Sequence, residues 1–334
     1  MYELLGISLV LATLLTINAV ASLAAAGCWR ALASHTRPWS SHSRAEVLFA
    51  MRAGPPVIAV LAVTAFLIPS FLIYEPYSTN EVVSKKLGAL AAVSAVGVLL
   101  ALWRGFRSLL ATRSLLKKWL GAAVPVELSG ISIPTFRIPH SFPIIAVVGT
   151  MRPRLFIADR VLASLSQGEL IAAIAHECGH LAARDNFKRS LLRASRDVLL
   201  IIPCGRSLDR AWAEASESGA DEYAAQESPT LALNLASALV RIAKMIPAGA
   251  RPVMPVAAFL VGGEETRGVK GRVRRLLEMA SADGRSQLPP RSRASVVPLI
   301  SVSLLFLLGI TVGTNPQMLA SVHSLIERVV HLLA

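Results

Sequence analysis

The chain has 334 residues, 54% of them hydrophobic and only 16% charged, where an ordinary soluble domain carries about 25%. This excludes an ordinary soluble protein and points to the membrane. The formal net charge is +13, but no basic run with interleaved aromatics accompanies it, so direct nucleic-acid binding is not expected.

Four stretches are apolar enough to span a bilayer: Leu4–Ala26, Pro56–Ile73, Leu87–Leu102 and Val296–Val312. A crossing needs roughly 20 apolar residues, with about 17 as a lower limit, so the second and third are short. Met1-Tyr2-Glu3 lacks a basic n-region. The first stretch therefore reads as an uncleaved signal-anchor rather than a lipoprotein leader ending at Cys28. Loop 27–55 holds Arg30, Arg37, Arg44 and Arg52 against Glu46 alone, whereas loop 74–86 is balanced. Arg104, Arg107, Arg113, Lys117 and Lys118 follow the third stretch, and Arg285, Arg291 and Arg293 precede the fourth. The positive-inside rule puts 27–55 and 103–295 in the cytoplasm and both termini outside the plasma (inner) membrane, with basic flanks on anionic headgroups of the lipid bilayer. Cys28, Cys178 and Cys204 are too scattered for a disulfide framework, which fits a reducing compartment.

Three regions follow: 1–114 with three spans, a globular domain over 115–290, and 291–334 with the fourth span and a short tail. The globular part opens β-like. Ile144–Val148 and Arg154–Ala158 are β-branched runs around Gly149 to Pro153, a hairpin whose exposed edge can take a peptide by strand addition. Asp159 is placed to cap a short helix through Leu165. Ser166-Gln167-Gly168-Glu169 is a capping box for a helix from Gln167 to about Arg184. Further helices are expected over 186–202, 208–226, 229–246 and 268–280. Beyond Asn315-Pro316, Leu319, Val322, Leu325, Ile326, Val329 and Leu333 line one face of a helix expected to lie on the outer membrane surface.

The chemistry sits in His176-Glu177-Cys178-Gly179-His180. On a helix, residues four apart are offset by roughly 40°, so both imidazoles can grip one metal ion with Glu177 beside them. Zn2+ in such a site needs one more protein ligand and keeps a position for water. Glu217 is the expected third ligand, in an ExxxD pattern that puts Asp221 on the same helix face. Asp221 can fix the tautomer of a ligand histidine. Glu214 is the competing ligand. Glu177 is the expected catalytic base, passing a proton from water to the leaving amine. Tyr223, Arg241 and Arg272 are alternative oxyanion donors, and the sequence does not choose between them. Cys178 reads as a small core residue, and His140 as a loop residue outside the site.

The runs Gly149 to Ile157 (GTMRPRLFI) and Glu169 to Leu181 (ELIAAIAHECGHL), then Asp185, the Glu217/Asp221 pair and Arg272 to Leu277 (RVRRLL) resemble the membrane metallopeptidases typified by the bacterial beta-lactam-sensing antirepressor proteases. The order of spans is also similar. Prenyl-protein and heat-shock membrane proteases share the two motifs, with glutamate as third ligand (the gluzincin pattern), but differ in span layout. The resemblance implies a mainly α integral membrane protein with four transmembrane helices and a cytoplasmic α+β zincin-like domain. It also implies zinc-dependent cleavage of a cytoplasmic protein or peptide, often a winged-helix repressor, and a supporting role for Asp185. The chain ends soon after its fourth span without a penicillin-binding domain, so a separate sensor and a constitutive quality-control role are both open. The competing readings are a non-catalytic signalling scaffold and a transporter. The spans carry almost no ionisable residues, which disfavours the transporter.

Overall fold

The computed structural model describes residues 2–36, 38–76, 83–128, 133–150, 152–196, 205–246, 266–281 and 315–333. Three long helical segments come first: α1 (Tyr2–Leu32), then α2 (Ser41–Ala62) continuing through a π-helical turn (Val63–Leu67) into α3 (Ile68–Tyr74), then α4 (Lys85–Ala122). All three are long and apolar enough to cross a membrane. The expected fourth span, 296–312, lies outside the described residues. The π-turn has a local cause. Pro69 has no N–H, and in a regular helix its ring would strike the carbonyl four residues back. The turn is widened there, with the Ile68 N–H bonding to Val63 O, which makes room for the ring.

The helices overrun their expected ends, and this corrects the reading of 27–55 as a loop. α1 continues to Leu32 and α2 starts at Ser41, with Ser40 as its cap. Two of the polar residues taken as loop signals, Arg52 and Glu46, are instead used in tertiary pairs. Arg52 is buried, with its Nε 3.0 Å from Asp209 Oδ1. Glu46 pairs with Lys188. α4 likewise runs unbroken past Leu102 and through 115, so no break in the backbone separates the third span from the globular part.

That part holds a four-stranded sheet, β1 (Val124–Pro125), β2 (Thr135–Ile138), β3 (Ile145–Val148) and β4 (Arg154–Ala158), in the order β1-β2-β4-β3. β3 and β4 form the expected antiparallel hairpin, while β2 joins β4 in parallel. Among the described residues six helices accompany it: α5 (Asp159–Ser164), α6 (Gln167–Ala182), α7 (Asp185–Arg196), α8 (Gly205–Ala225), α9 (Pro229–Met245) and α10 (Thr266–Ala280). α5 is capped at Ala158 without a side-chain bond, contrary to the expected Asp159 cap. Asp159 is drawn off by Arg137, whose Nε is 2.6 Å from its Oδ1. The core lies between β3–β4, α6 and α9, around Phe156, Ile145, Leu155, Leu235 and Leu239.

The last helix, α11 (Pro316–Leu333), packs on the membrane helices rather than lying apart from them. Ser70 Oγ donates to Leu319 O at 2.9 Å and the Tyr74 hydroxyl to Pro316 O at 3.1 Å. Ile326 closes a cluster with Leu5, Leu9, Val63, Leu67, Phe71 and Leu87. Of the expected apolar face, Leu319 and Ile326 are buried, but Leu325 and Val329 are exposed.

Candidate metal centre

α6 is set by the expected capping box: Ser166 Oγ accepts from Glu169 N, and Glu169 returns a bond to Ser166 N. From there the helix carries His176, Glu177 and His180 inward, all three buried. α8 crosses α6 at close range. A Cβ built on Gly179 would stand 3.0 Å from Ala220 Cα and 3.1 Å from Tyr223 Cβ. Any larger residue would have to push the two helices apart by a few tenths of an ångström, and the close approach brings Glu217 to the histidines. Its Oε1 lies 3.5 Å from His180 Nε2 and its Oε2 3.7 Å from His176 Nε2.

Each imidazole is held from behind by a carboxylate. His176 Nδ1 is 3.0 Å from Asp221 Oδ1, and His180 Nδ1 is 2.8 Å from Asp185 Oδ2. Asp185 in turn accepts from Ser216 Oγ at 2.7 Å. It reaches back because α6 ends in a left-handed residue, Arg184, with φ of 55°, which turns the chain sharply before α7 starts. Both Nε2 atoms thus face one another's side, with Glu217 between. The donor atoms of His176, His180 and Glu217 all lie within 4.8 Å of one another.

This donor set suits zinc. At the usual bond length of about 2.0–2.1 Å, tetrahedral ligands sit roughly 3.3 Å apart, close to the 3.5 and 3.7 Å seen here. His180 Nε2, Glu217 Oε2 and Glu177 Oε1 are buried without a hydrogen-bond partner, an expensive arrangement unless a ligand satisfies it. Glu217 Oε2 does have a charge neighbour, Arg272 Nη1, at 3.1 Å.

Arg272, on α10, spans the site. Its Nε and Nη2 donate to Asp221 at 2.8 and 2.7 Å, and Nη2 lies against the His176 ring, 3.5 and 3.4 Å from its two nitrogens. Burial alone would raise the Asp221 pKa, but the charge of Arg272 and the His176 bond hold it far below the usual carboxylate range. Glu217 is also held low, burial being outweighed by His180 and Arg272. Burial pulls His176 down, and Arg272 adds to this. For His180 the carboxylates of Glu217 and Asp185 outweigh burial and raise it. Burial pushes Glu177 up to about 7. Its Oε2 accepts from Val147 N at 3.2 Å.

That last contact revises the expected substrate edge. β3 is at the edge of the sheet and beside α6, but all four of its residues are buried. The Val147 N–H is taken by Glu177, and its carbonyl accepts from Asn186 Nδ2 at 2.8 Å. Val147 is therefore an anchor for the site rather than an open rung.

Other sequence candidates fall away from the centre. Glu214 is exposed on α8. Arg241 is occupied at the start of α6, its Nε 2.8 Å from Glu169 Oε1. His140 accepts from Phe142 N and rests edge-on to Trp119. Cys178 packs against the main core. Tyr223 sits beside Gly179. Sequence reasoning missed a second cluster next to Asp221. Glu222 accepts from Ser41 N and Ser41 Oγ at 3.2 and 2.7 Å and pairs with Arg275. The first turn of α2 is thereby fastened to α8 and α10. Arg272 and Arg275, three apart on α10, meet Asp221 and Glu222; an RxxR opposite a DE pair was the available signal.

Residues 146–258 match the model of Peptidase family M48. That stretch runs from β3 through α9 and contains all three metal-donor residues. No curated protein matches the chain. Over 146–258 the chain is similar to Peptidase family M48, and together with the His-His-Glu cluster this supports a metallopeptidase with membrane helices.

Proposed function

We propose that the chain is a membrane-anchored zinc endopeptidase whose domain faces the cytoplasm of the cell's inner (plasma) membrane and cleaves a protein there. The observation that carries this is the convergence of His176, His180 and Glu217 donors, with each histidine oriented by its own carboxylate and Glu177 buried beside them.

His176, His180 and Glu217 would hold zinc, and the ion, when bound, would supply Lewis acidity toward water and a peptide carbonyl. The chain's own groups do the rest. Asp221 and Asp185 keep the Nδ1 protons in place, so that Nε2 of each histidine is the free lone pair. Glu177 accepts the proton of the attacking water and delivers it to the departing amine. Val147 N–H fixes its carboxylate. Of the three donors considered for the developing oxyanion, Arg272 is the one at the site, and Asp221 anchors it.

The substrate class is a cytoplasmic protein. The antirepressor resemblance suggests a winged-helix repressor, and the quality-control type of membrane protease is the alternative. The test is Glu177→Gln in the full chain. Zinc should remain stoichiometric while cleavage of a labelled polypeptide falls by at least about 10³-fold, beyond the 10²–10⁴ of a lost general base at its lower end. Wild-type protein that holds no zinc, or a variant that still cleaves, defeats the proposal.

A further inference from the structure

The stretch of α4 beyond its expected span is apolar on its outside. Leu87–Leu102 at 1.5 Å per residue covers about 24 Å, short of the roughly 30 Å of hydrocarbon in a bilayer. The helix does not stop there, and neither does its apolar face. Leu99, Leu102, Trp103, Phe106, Leu109 and Leu110 recur three or four apart and are 46–66% exposed. Scattered exposed leucines need no explanation, but a continuous stripe with two aromatics does.

The charges point to what covers it. Among residues 85–122 there is no Asp or Glu, while Arg104, Arg107, Arg113, Lys117 and Lys118 interleave with and follow the stripe. The Arg107 guanidinium lies 5.9 Å from the centre of the Trp103 ring. An amphipathic aromatic paired with a basic side chain, at the end of a span, belongs at headgroup depth. α7 packs against α4 and brings Phe187 and Leu191, 55% and 40% exposed.

We propose that residues 99–110 of α4, with Phe187 and Leu191 of α7, form a seat for an anionic phospholipid leaflet. The stripe enters the acyl region next to the headgroups, and Arg104, Arg107 and Arg113 engage phosphates. A soluble partner would need its own acidic, apolar face. The first half of the same helix belongs to a stretch long and apolar enough to cross a bilayer, so continuity favours a leaflet. The seat reaches the metal domain, because Phe187 is two residues from Asp185, the carboxylate behind His180. It is independent of whether zinc binds.

The test uses the full chain reconstituted in vesicles, with an environment-sensitive fluorophore on Phe106→Cys or Phe187→Cys in a Cys28→Ser, Cys204→Ser background, the signal of that background subtracted. Glu214→Cys on the exposed face of α8 is the reference position. In vesicles of phosphatidylcholine with phosphatidylglycerol, the labels at 106 and 187 should be quenched by nitroxide lipids and be at least several-fold less sensitive to iodide than the label at 214. The shielding should weaken in phosphatidylcholine alone, and in the Arg104→Gln, Arg107→Gln, Arg113→Gln variant. Iodide access equal to that at 214 overturns the proposal. So does shielding that ignores lipid charge, or shielding that follows protein density and so reports a second copy.

Discussion

Gly179→Ala is the smallest change that should open the metal centre. The added methyl would meet Ala220 Cα at 3.0 Å, Tyr223 Cβ at 3.1 Å and Ala220 Cβ at 3.3 Å. Carbon atoms rest about 3.5–4.0 Å apart, and one of the obstacles is backbone, so α6 and α8 must give way by a few tenths of an ångström. Overpacking of this kind costs about 1–3 kcal/mol. The functional effect should accompany the loss of stability. His180 is on α6 and Glu217 on α8, and ligand positions tolerate only about 0.2 Å. Zinc affinity should fall by about 10–100-fold, or 1.4–2.8 kcal/mol, measured by competition with a chelating dye. Gly121→Ala is the control. Nothing lies within 4 Å of a Cβ there, so it should be neutral or stabilise by up to about 1 kcal/mol. If Gly179→Ala binds zinc as tightly as wild type and melts at the same temperature, close helix approach does not set the position of Glu217, and the derivation fails.

Three further outcomes are expected. Asp221→Asn removes the negative charge that His176 Nδ1 and Arg272 share and leaves one acceptor for the two, and should lower zinc affinity by about 10–100-fold; unchanged affinity in the dye assay would show that the Asp221 carboxylate does not orient the ligand. Glu222→Gln loosens the attachment of Ser41 and Arg275 and should destabilise the protein by about 1–3 kcal/mol, read as a lower melting temperature, with zinc stoichiometry kept. In metal-free protein, Glu177 has a folded pKa of about 7 against an ordinary 4.5. A raised carboxylate pKa means stability that is full below pH 4.5 and lost as pH rises through 7. Metal-free Glu177→Gln should therefore gain on metal-free wild type by up to about 3 kcal/mol between pH 4.5 and 8, and melting curves that stay parallel over that range would refute the buried, protonated Glu177.

What could be read from the chain alone was local. The HExxH spacing, the Ser166 capping box and the β3–β4 hairpin each depend on residues within a turn or two, where helix and strand periods act directly. The Glu217 and Asp221 pair could be named as i, i+4 neighbours on one helix, but that this helix lies against α6 is a property of Gly179 meeting Ala220. The same limit explains the errors. Glu46 and Arg52 looked like the polar residues of a loop because their partners, Lys188 and Asp209, are more than a hundred positions away. The apolar face of the last helix was legible, but not that Ser70 and Tyr74 would hold its first turn by two backbone carbonyls.

Periodicity and capping thus determined which segments become helices and which residues share a helix face, because those forces act between near neighbours. Which faces meet was decided only by packing in three dimensions. That packing set Arg272 across Asp221, Glu222 under the first turn of α2, and Val147 behind Glu177, since each contact joins residues whose separation along the chain carries no information about their distance in space.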